Sequence, residues 1–381
     1  MNTSLEVEYW VVDTDGDLVA PDTLLDVSDQ VDPEFVEPML EIKTTPCESM
    51  IELREELRGR IGRVVDAARE RDKRLVPLAT PLYASPDEIP YREKESTDLQ
   101  RRIVGPAFDD ARVCAGTHVH FEQSNVAAQL NALTAIDPAF SLVNSSSHYH
   151  GERILECARP FLYRRSCYEA CPEQGQLQPY VDSVAEWERR LEDAYRSFRE
   201  RAIERGVDPE TFDDEFEPYD AVWNPVRLRK AMPTVEWRSP DAALPSQVLR
   251  LAAEVRSVVT RADTRGTVVD DSGSPTESDA IIDSNAAGEP VHLPAFDAVE
   301  SITDAAIRDG LDDSEVRRYL RGLGFTPSAY DPLADRATDS RITGRRAKRL
   351  RLRAADRLEA DLEHAASDGS RSARGRVPSE R

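Results

Sequence analysis

The sequence predicts an α+β protein whose sheet carries acidic, imidazole and arginine side chains together on one face. Four short β-forming stretches alternate apolar and polar residues, so each would present one apolar face and one polar face. Several longer stretches instead repeat apolar residues at helical spacing. With 381 residues, the chain is long enough for one large domain or two ordinary ones.

The β-forming stretches are the part of the sequence that points to chemistry. Extended segments are predicted at Leu5–Asp13 (followed by the turn TDGDL), Phe35–Thr45, Leu75–Leu82, Ala115–Glu122 and Met232–Asp241. Strand alternation places these side chains on polar faces: Glu6, Glu8, Glu41, Lys43, His118, His120, Glu122, Thr234, Glu236 and Arg238. Carboxylates gathered on one face repel one another unless cations neutralise them, and Mg²⁺ prefers such oxygen ligands.

Helices are predicted between and after these strands. Ser49 is a plausible N-cap for a helix beginning at Met50. Further helices are predicted at Ser124–Ile136, Val181–Arg205, Ser246–Arg261, Phe296–Gly310, Ser314–Gly322 and Gly344–Ala366. We therefore expect a catalytic core at 1–262, a loop or linker at 263–290, a helical part of the same domain at 291–366, and a disordered tail at 367–381.

The charge balance is strongly acidic. The chain has 72 acidic and 49 basic residues and a net charge of -23. Such a surface disfavours binding to nucleic acid and to anionic membranes, since both require clustered positive charge. It suits a cytoplasm with molar salt, where the Debye length falls to about 3 Å and self-repulsion is screened.

Stability should therefore rise with salt. We expect the melting temperature to increase as KCl is raised from low to molar concentration, because screening weakens repulsion among the excess carboxylates. Circular dichroism melts across the KCl series measure this. A melting temperature that stays flat or falls would contradict the salt-adaptation hypothesis.

Other features of the sequence indicate where the protein works. The five cysteines have no CxxC pairing, which favours reduced thiols over a disulfide framework. The first residues lack the pattern of a signal peptide, and no apolar run approaches a membrane span. The expected location is the cytoplasm, with small-molecule partners, no nucleic acid and no membrane.

Neither GxxxxGK[ST] nor GxGxxG occurs in the chain. Instead, "LEVEYWVVD", "MLEIKTTPCESMIELREEL", "AGTHVHFE", "VNSSSHYHG" and "MPTVEWRSPDA" together resemble the glutamate–cysteine ligase type 2 family of ATP-dependent carboxylate–amine ligases, of haloarchaeal type. The family pattern matches Glu6, Glu8 and Asp13 in the first motif and Gly116, His118 and His120 in the third. The five motifs appear in family order over about residues 4–262.

The resemblance implies a glutamine-synthetase-like fold: a curved, largely antiparallel sheet forming an active-site funnel, with helices on the outer face. It implies that ATP and Mg²⁺ or Mn²⁺ are used to join the γ-carboxylate of glutamate to the amine of cysteine through an acyl phosphate. The implied catalytic residues are Glu8, Glu41, His118, His120, Glu236 and Arg238. The implied metal ligands are Glu6, Glu8, Glu41, His118 and Glu236. Substrate or ATP binding is assigned to Thr44, Ser145, Ser146, Arg164, Arg227 and Thr234.

Alternatives remain open from the sequence. The amine acceptor can differ from cysteine, because the residues around Phe121 and Ser147 depart from the family pattern. A zinc-dependent hydrolase would use His118, His120 and either His148 or His150 as ligands. A non-catalytic relative would bind ATP without releasing ADP. A homo-oligomer is compatible with the sequence, and His292 and His364 are expected at the surface.

Overall fold

The computed structural model describes residues 1–84, 88–167, 171–172, 174–270, 288–334 and 337–374, with backbone alone at 165–166 and 365–374. It is a mixed α+β fold, as predicted. The strands are β1 Thr3–Asp13, β2 Val31–Pro33, β3 Met39–Lys43, β4 Lys73–Val76, β5 Thr117–Glu122, β6 His148–Tyr149, β7 Glu152–Arg153, β8 Val226–Arg229, β9 Thr234–Trp237, β10 Thr267–Asp270 and β11 Val291–Pro294. The helices are α1 Met50–Arg69, α2 Glu95–Val104, α3 Ala107–Arg112, α4 Val126–Ala135, α5 Ala158–Phe161, α6 Val184–Glu204, α7 Pro209–Glu215, α8 Pro218–Ala221, α9 Pro245–Arg265, α10 Phe296–Asp309, α11 Ser314–Gly322 and α12 Gly344–Arg374.

The main sheet of the described residues is antiparallel. Its strand order is β2-β3-β1-β5-β9-β8, and β4 pairs with the C-terminal part of β1. Every strand pair in it is antiparallel. The four alternating strands found in the sequence are therefore direct neighbours, with β1 in the middle.

One face of this sheet is the main hydrophobic core. Leu5, Val7, Tyr9, Phe121 and Trp237 are all fully buried. Helices α1, α4 and α9 lie against the sheet, and α9 also packs against both α1 and α4. Burying side chains of this size stabilises the fold by about 1.5–3 kcal/mol each. Because the apolar positions of each strand are committed to this core, the polar positions must face the other way.

Helix α1 illustrates how the sequence specifies an element. The Ser49 side chain accepts a hydrogen bond from the backbone N–H of Glu52, which is the predicted N-cap. Leu53, Leu57 and Ile61 lie one turn apart and are all fully buried. The spacing in the sequence therefore predicted both the start of the helix and its buried face.

Several predicted boundaries were wrong. The segment predicted as strand at Leu75–Leu82 is extended only to Val76. In the predicted loop 263–290, α9 continues to Arg265 and β10 then pairs in parallel with β11. Residues 271–287 lie outside the described residues. This pairing joins segments separated in sequence, which local patterns do not report.

The C-terminal helix was also longer and more buried than expected. Helix α12 runs to Arg374, into the segment predicted as a disordered tail, of which 375–381 lie outside the described residues. Arg351 on α12 is 5% exposed and donates to the backbone carbonyls of Pro81 and Gly16. Glu359 pairs with Arg69 and Arg74. One face of this basic helix therefore binds the body of its own chain instead of being fully solvated.

Two remaining predictions concern cysteines and membranes. All five cysteines are buried, and their reduced state stays a prediction from the sequence. Among the described helices, no single one is long and apolar enough to cross a membrane. By length and composition alone, the bent pair Val126–Ala135 and Asp137–Val143 passes that test.

Candidate active site

The register of the sheet brings the predicted polar positions together on one face. Glu6 lies opposite Lys43 on β3 and opposite His118 on β5. Glu8 lies opposite Glu41. Directly opposed side chains in an antiparallel sheet have Cβ atoms about 4.5–5.5 Å apart, so these groups interact across strands.

The far side of β5 continues the same face. His120 lies opposite Glu236 on β9, and Arg227 on β8 lies opposite Glu236 in turn. The carboxylates, imidazoles and Arg238 that alternation places on polar faces therefore share one face of four neighbouring strands, and Arg227 on β8 extends that face. We call this set, Glu6, Glu8, Glu41, His118, His120, Arg227, Glu236 and Arg238, the charged face.

The two histidines lie within a ring of carboxylates. The Nδ1 atom of His118 is 3.1 Å from a carboxylate oxygen of Glu6, and its Nε2 atom is 3.7 Å from one of Glu8. The Nε2 atom of His120 is 3.3 Å from Glu6 and 3.9 Å from Glu236. Both rings are nearly inaccessible to solvent, at 3% and 1% exposure.

The hydrogen bonds of His120 determine its tautomer. The Thr234 hydroxyl donates to the carbonyl of Met232 at 3.1 Å, so its oxygen accepts from Nδ1–H of His120 at 3.1 Å. The Nε2 atoms of both His120 and His118 are buried without a hydrogen-bond partner. In the neutral rings these nitrogens carry lone pairs that face carboxylates, an arrangement that a cation would stabilise.

The neighbours of each carboxylate determine whether its pKa is raised or lowered. Burial raises the pKa of Glu6, but the nearby imidazoles of His118 and His120 outweigh burial and hold it below its ordinary range. Burial, together with the charges of Glu6 and Glu8, raises the pKa of Glu41 to about 8. Burial also lowers the pKa of His118, with Arg238 acting in the same direction. Closely spaced carboxylates of this kind titrate far from their usual values unless cations compensate them.

Arginines compensate part of the negative charge. Glu236 is fully buried and accepts from Nε of Arg227 at 2.6 Å and from Arg238. Burial raises the pKa of Glu236, but Arg227 and Arg238 outweigh it and hold the pKa well below its ordinary value. Lys43 pairs with Glu41 at 2.9 Å and with Asp32 at 2.8 Å. Glu236 is thus an anchor for two arginines as well as a neighbour of both histidines.

The charged face forms the floor of a cleft of about 730 Å³. Its lining includes Glu6, Glu8, Glu41, His118, Arg227 and Arg238. His120 and Glu236 lie beneath that surface. A cleft of this size is within the range of small-molecule sites.

Three overlapping groups within the described residues can hold a metal ion. They are Glu6–His120–Glu236, Glu6–Glu41–His118 and Glu8–Glu34–Glu41, each with ligand atoms within 4.8 Å of one another. Carboxylate oxygens suit Mg²⁺ and Mn²⁺, and imidazole nitrogen is also accepted by Mn²⁺ and later transition metals. The unpartnered Nε2 atoms of the two histidines fit such a role. The residues present therefore fit one or more divalent cations.

The remaining predicted site residues lie in different surroundings. Thr44 is tied to β1: its hydroxyl accepts from the N–H of Leu5 at 2.9 Å. Ser145 and Ser146 accept from the N–H groups of Ala79 and Thr80 and line a separate cavity of about 560 Å³ beside α12. The structure does not place these three residues among the lining of the cleft.

Arg164 and Thr234 are closer to the charged face. Arg164 pairs with the buried Asp137 at 2.6 Å and donates to the Ser239 hydroxyl, in a small recess that it shares with Arg238. Thr234 supports His120 as described above. Both side chains already have protein partners, so the contacts observed are structural ones.

The histidines outside β5 do not extend the site. His148 is fully buried and its Nε2 atom lies 2.6 Å from the carbonyl oxygen of Asp339. Neither His148 nor His150 belongs to any metal-capable group found among the described residues. His292 and His364 lie at the surface, as predicted.

Sequence reasoning missed several cleft residues, among them Glu34 and Arg112. Glu34 lies in the irregular segment between β2 and β3, where no alternation marks a face. Burial, with Glu8 and Glu41 nearby, raises its pKa well above the ordinary value. Arg112 ends a short helix and reaches the cleft through tertiary packing. No local pattern singled out either residue.

Comparisons with known proteins identify relatives of this chain. It is 25% identical over 248 residues to a protein of Ruegeria pomeroyi named "Putative glutamate--cysteine ligase 2", covering 62% of this chain and 59% of that protein. It is 26% identical over 254 residues to a protein of the same name from Jannaschia sp., covering 63% and 60%. The resemblance to this family is thereby confirmed. The chain matches only about 60% of the length of these curated relatives.

Solved structures share the fold. A bifunctional glutathione synthetase from Pasteurella multocida aligns with a TM-score of 0.54 and 14% identity, over 95% of this chain and 52% of that one. A glutamate–cysteine ligase from Francisella tularensis, solved with AMP, aligns with a TM-score of 0.52 and 12% identity, over 100% and 95%. No protein-family model matches the chain.

Proposed function

We propose that this protein is an ATP-dependent carboxylate–amine ligase that forms γ-glutamylcysteine. The observation that carries the proposal is the charged face, where carboxylates and two buried histidines able to hold divalent cations lie beside arginines. The named relatives and the fold shared with the ligase structures support the same class of reaction. The charged face would be the wall of a glutamine-synthetase-like funnel.

The metal would be Mg²⁺ or Mn²⁺. Glu6, Glu8, Glu41, Glu236 and His118 are the proposed ligands, with His120 added on the strength of its unpartnered nitrogen. A bound divalent cation would supply positive charge where ATP phosphates and the carboxylate cluster meet. The protein's own part is to hold these ligands rigidly on adjacent strands.

The proposed reaction has two steps. A carboxylate oxygen of glutamate attacks the γ-phosphorus of ATP, the bond to the β-phosphate oxygen breaks, and ADP leaves. The amine of cysteine then attacks the acyl carbon, and inorganic phosphate leaves with the oxygen that glutamate lost. The released proton passes to a base or to water. Arg227 and Arg238, on the floor of the cleft, would offset the negative charge of the transferring group.

The alternative of a zinc-dependent hydrolase needs a third histidine ligand beside His118 and His120. His148 is occupied by the Asp339 carbonyl, and neither His148 nor His150 joins the charged face. A different amine acceptor stays within the proposed reaction class. It is distinguished by the substrate panel described next.

The test is the fate of labelled oxygen. Glutamate labelled in its carboxylates is incubated with ATP, Mg²⁺, molar KCl and cysteine or another amino acid. We expect one ADP per peptide bond and label in the released phosphate. Label that stays wholly outside the phosphate would overturn the ligase mechanism. Label transfer that requires another amine would correct only the acceptor.

Arg238→Lys should lower kcat by about tenfold or more. Arg238 must contact Glu236 while facing the cleft, and an ammonium group cannot reproduce this planar, two-sided contact. Steady-state ADP release measures the effect. Arg102→Lys is the matched control, because Arg102 is exposed and only donates to the carbonyls of Arg205 and Gly206. Equal rates for both variants would contradict the role of Arg238.

A further inference from the structure

Arg112 is a buried arginine enclosed by aromatic rings. It ends α3 and is 3% exposed. Its guanidinium carbon lies 3.6 Å from the ring centroid of Trp223, 4.0 Å from that of Phe35 and 4.2 Å from that of Phe108. These rings come from three separate segments, so the enclosure is assembled by the tertiary fold.

The charge of Arg112 is incompletely compensated. Its Nε and Nη2 atoms are buried without a hydrogen-bond partner, and no carboxylate among the described residues forms an ion pair with it within 4.0 Å. Ring faces attract a cation lying over them, but they do not accept the N–H groups that point outward in the guanidinium plane. A buried charged donor left unpaired destabilises a fold, so a ligand that completes it is the natural explanation.

Four other arginines near the cleft each have an anionic or carbonyl acceptor in the protein, although Nε of Arg159 and Nη1 of Arg164 are also buried without a hydrogen-bond partner. Arg227 and Arg238 bind Glu236, and Arg164 binds Asp137. Arg159 donates to the backbone carbonyls of Arg238 and Ser239. Arg112 lines the same cleft as Glu6, Glu8 and Glu41, and among these five arginines it is the one without an anionic or carbonyl acceptor.

We propose that Arg112 binds the carboxylate of the amino-acid substrate. A planar, singly charged group with two oxygens matches one guanidinium edge, whereas a polyphosphate needs several cations. The flat apolar walls of Phe35 and Trp223 exclude water from that contact and can pack against the methylene groups of an amino acid. The inference depends on the proposed function only for the identity of the acid.

Binding measurements without turnover test this. L-glutamate and a non-hydrolysable ATP analogue are titrated separately into wild-type protein, Arg112→Met and Arg112→Lys by calorimetry. We expect Arg112→Met to weaken glutamate binding about 30-fold while leaving the ATP analogue unchanged. Arg112→Lys should also weaken glutamate binding, because an ammonium group lacks the two-pronged contact. Glutamate should change the tryptophan fluorescence of the wild type, since Trp223 stacks on Arg112.

Arg101→Gln is the matched control. Arg101 stacks on Tyr91 and pairs with Asp109 outside the cleft, so its loss changes net charge by the same amount as Arg112→Met. It should bind glutamate like the wild type. The metal-free, ligand-free Arg112→Met protein should melt no lower than the wild type, since an unpaired buried charge is replaced by an apolar side chain of similar length.

Each possible outcome either supports the inference or overturns it. Unchanged glutamate affinity in Arg112→Met would overturn the inference, as would weakening of the ATP analogue instead of glutamate. If Arg112→Met does not fold, Arg112→Lys decides by the same comparison. If the wild type binds another small carboxylic acid through Arg112 but not glutamate, the proposed substrate fails and the inference stands. If no small carboxylate binds, the inference is overturned.

Discussion

Glu8→Gln should lower kcat about a hundredfold or more while leaving the protein folded. Glu8 lies on the cleft floor, and its carboxylate accepts the backbone N–H of Gly116 at 2.5 Å. Glutamine keeps the volume and one carbonyl acceptor, so that hydrogen bond can persist. It removes the negative charge that Glu8 contributes to the metal-capable group with Glu34 and Glu41.

Steady-state ADP release across a Mg²⁺ and Mn²⁺ series measures this effect, and the melting temperature measures folding. The metal-free melting temperature should be equal or higher, because one of several mutually repelling carboxylates has been removed. Glu122→Gln is the matched control, since Glu122 ends β5 and its side chain accepts a hydrogen bond from the backbone N–H of Asn2, away from the charged face. Turnover of Glu8→Gln at the wild-type rate would show that the charged face is not the catalytic one.

The contribution of Glu41 to the stability of the metal-free protein should fall as pH rises through the neutral range. The pKa of Glu41 is raised to about 8 by burial and by Glu6 and Glu8, so the folded state keeps a proton that the unfolded chain releases near its ordinary pKa of about 4.3. Between these two pKa values, Glu41 holds more protons in the folded state than in the unfolded chain. The free energy of unfolding therefore decreases with pH, by at most about 1.4 kcal/mol per pH unit for this group.

Glu41→Gln isolates this contribution. Urea unfolding of both proteins in molar KCl with a chelator, from about pH 5 to pH 8, should show the variant gaining stability relative to the wild type as pH rises. Added Mg²⁺ or Mn²⁺ should stabilise the wild type more at pH 8 than at pH 6, because a metal competes with the proton for Glu41. The variant should show a smaller metal effect. Parallel pH profiles for the two proteins would contradict the raised pKa of Glu41.

Alternation along four strands predicts every member of the charged face except Arg227, which lies on β8, a strand that the sequence does not predict. The prediction succeeded because the opposite positions, such as Val7 and Trp237, are fully buried, which leaves no freedom to reverse a strand. The same rule says nothing about loops. Glu34 and the ring enclosure of Arg112 depend on segments brought together only by the complete fold.

The serine motif shows a second limit. The resemblance implies a substrate-binding role for Ser145 and Ser146, whereas in the structure their hydroxyls accept backbone N–H groups of Ala79 and Thr80. The motif that resembles the family therefore has a clear structural role here, fastening one loop to another. A short polar motif in a sequence does not distinguish a contact with ligand from a contact with backbone.

The central position of β1 has a consequence for biosynthesis. A chain leaves the ribosome N-terminus first, so β1 emerges long before β9, and β5 lies between them in the sheet. Pairing of β1 with β3 closes a short loop, whereas β9 can join β5 only after residues up to Trp237 are available. A nascent chain that pauses between β5 and β9 presents β5 as an open edge. In that chain His118 and His120 already neighbour Glu6. Glu236, Arg227 and Arg238, which complete the charged face, are not yet in place.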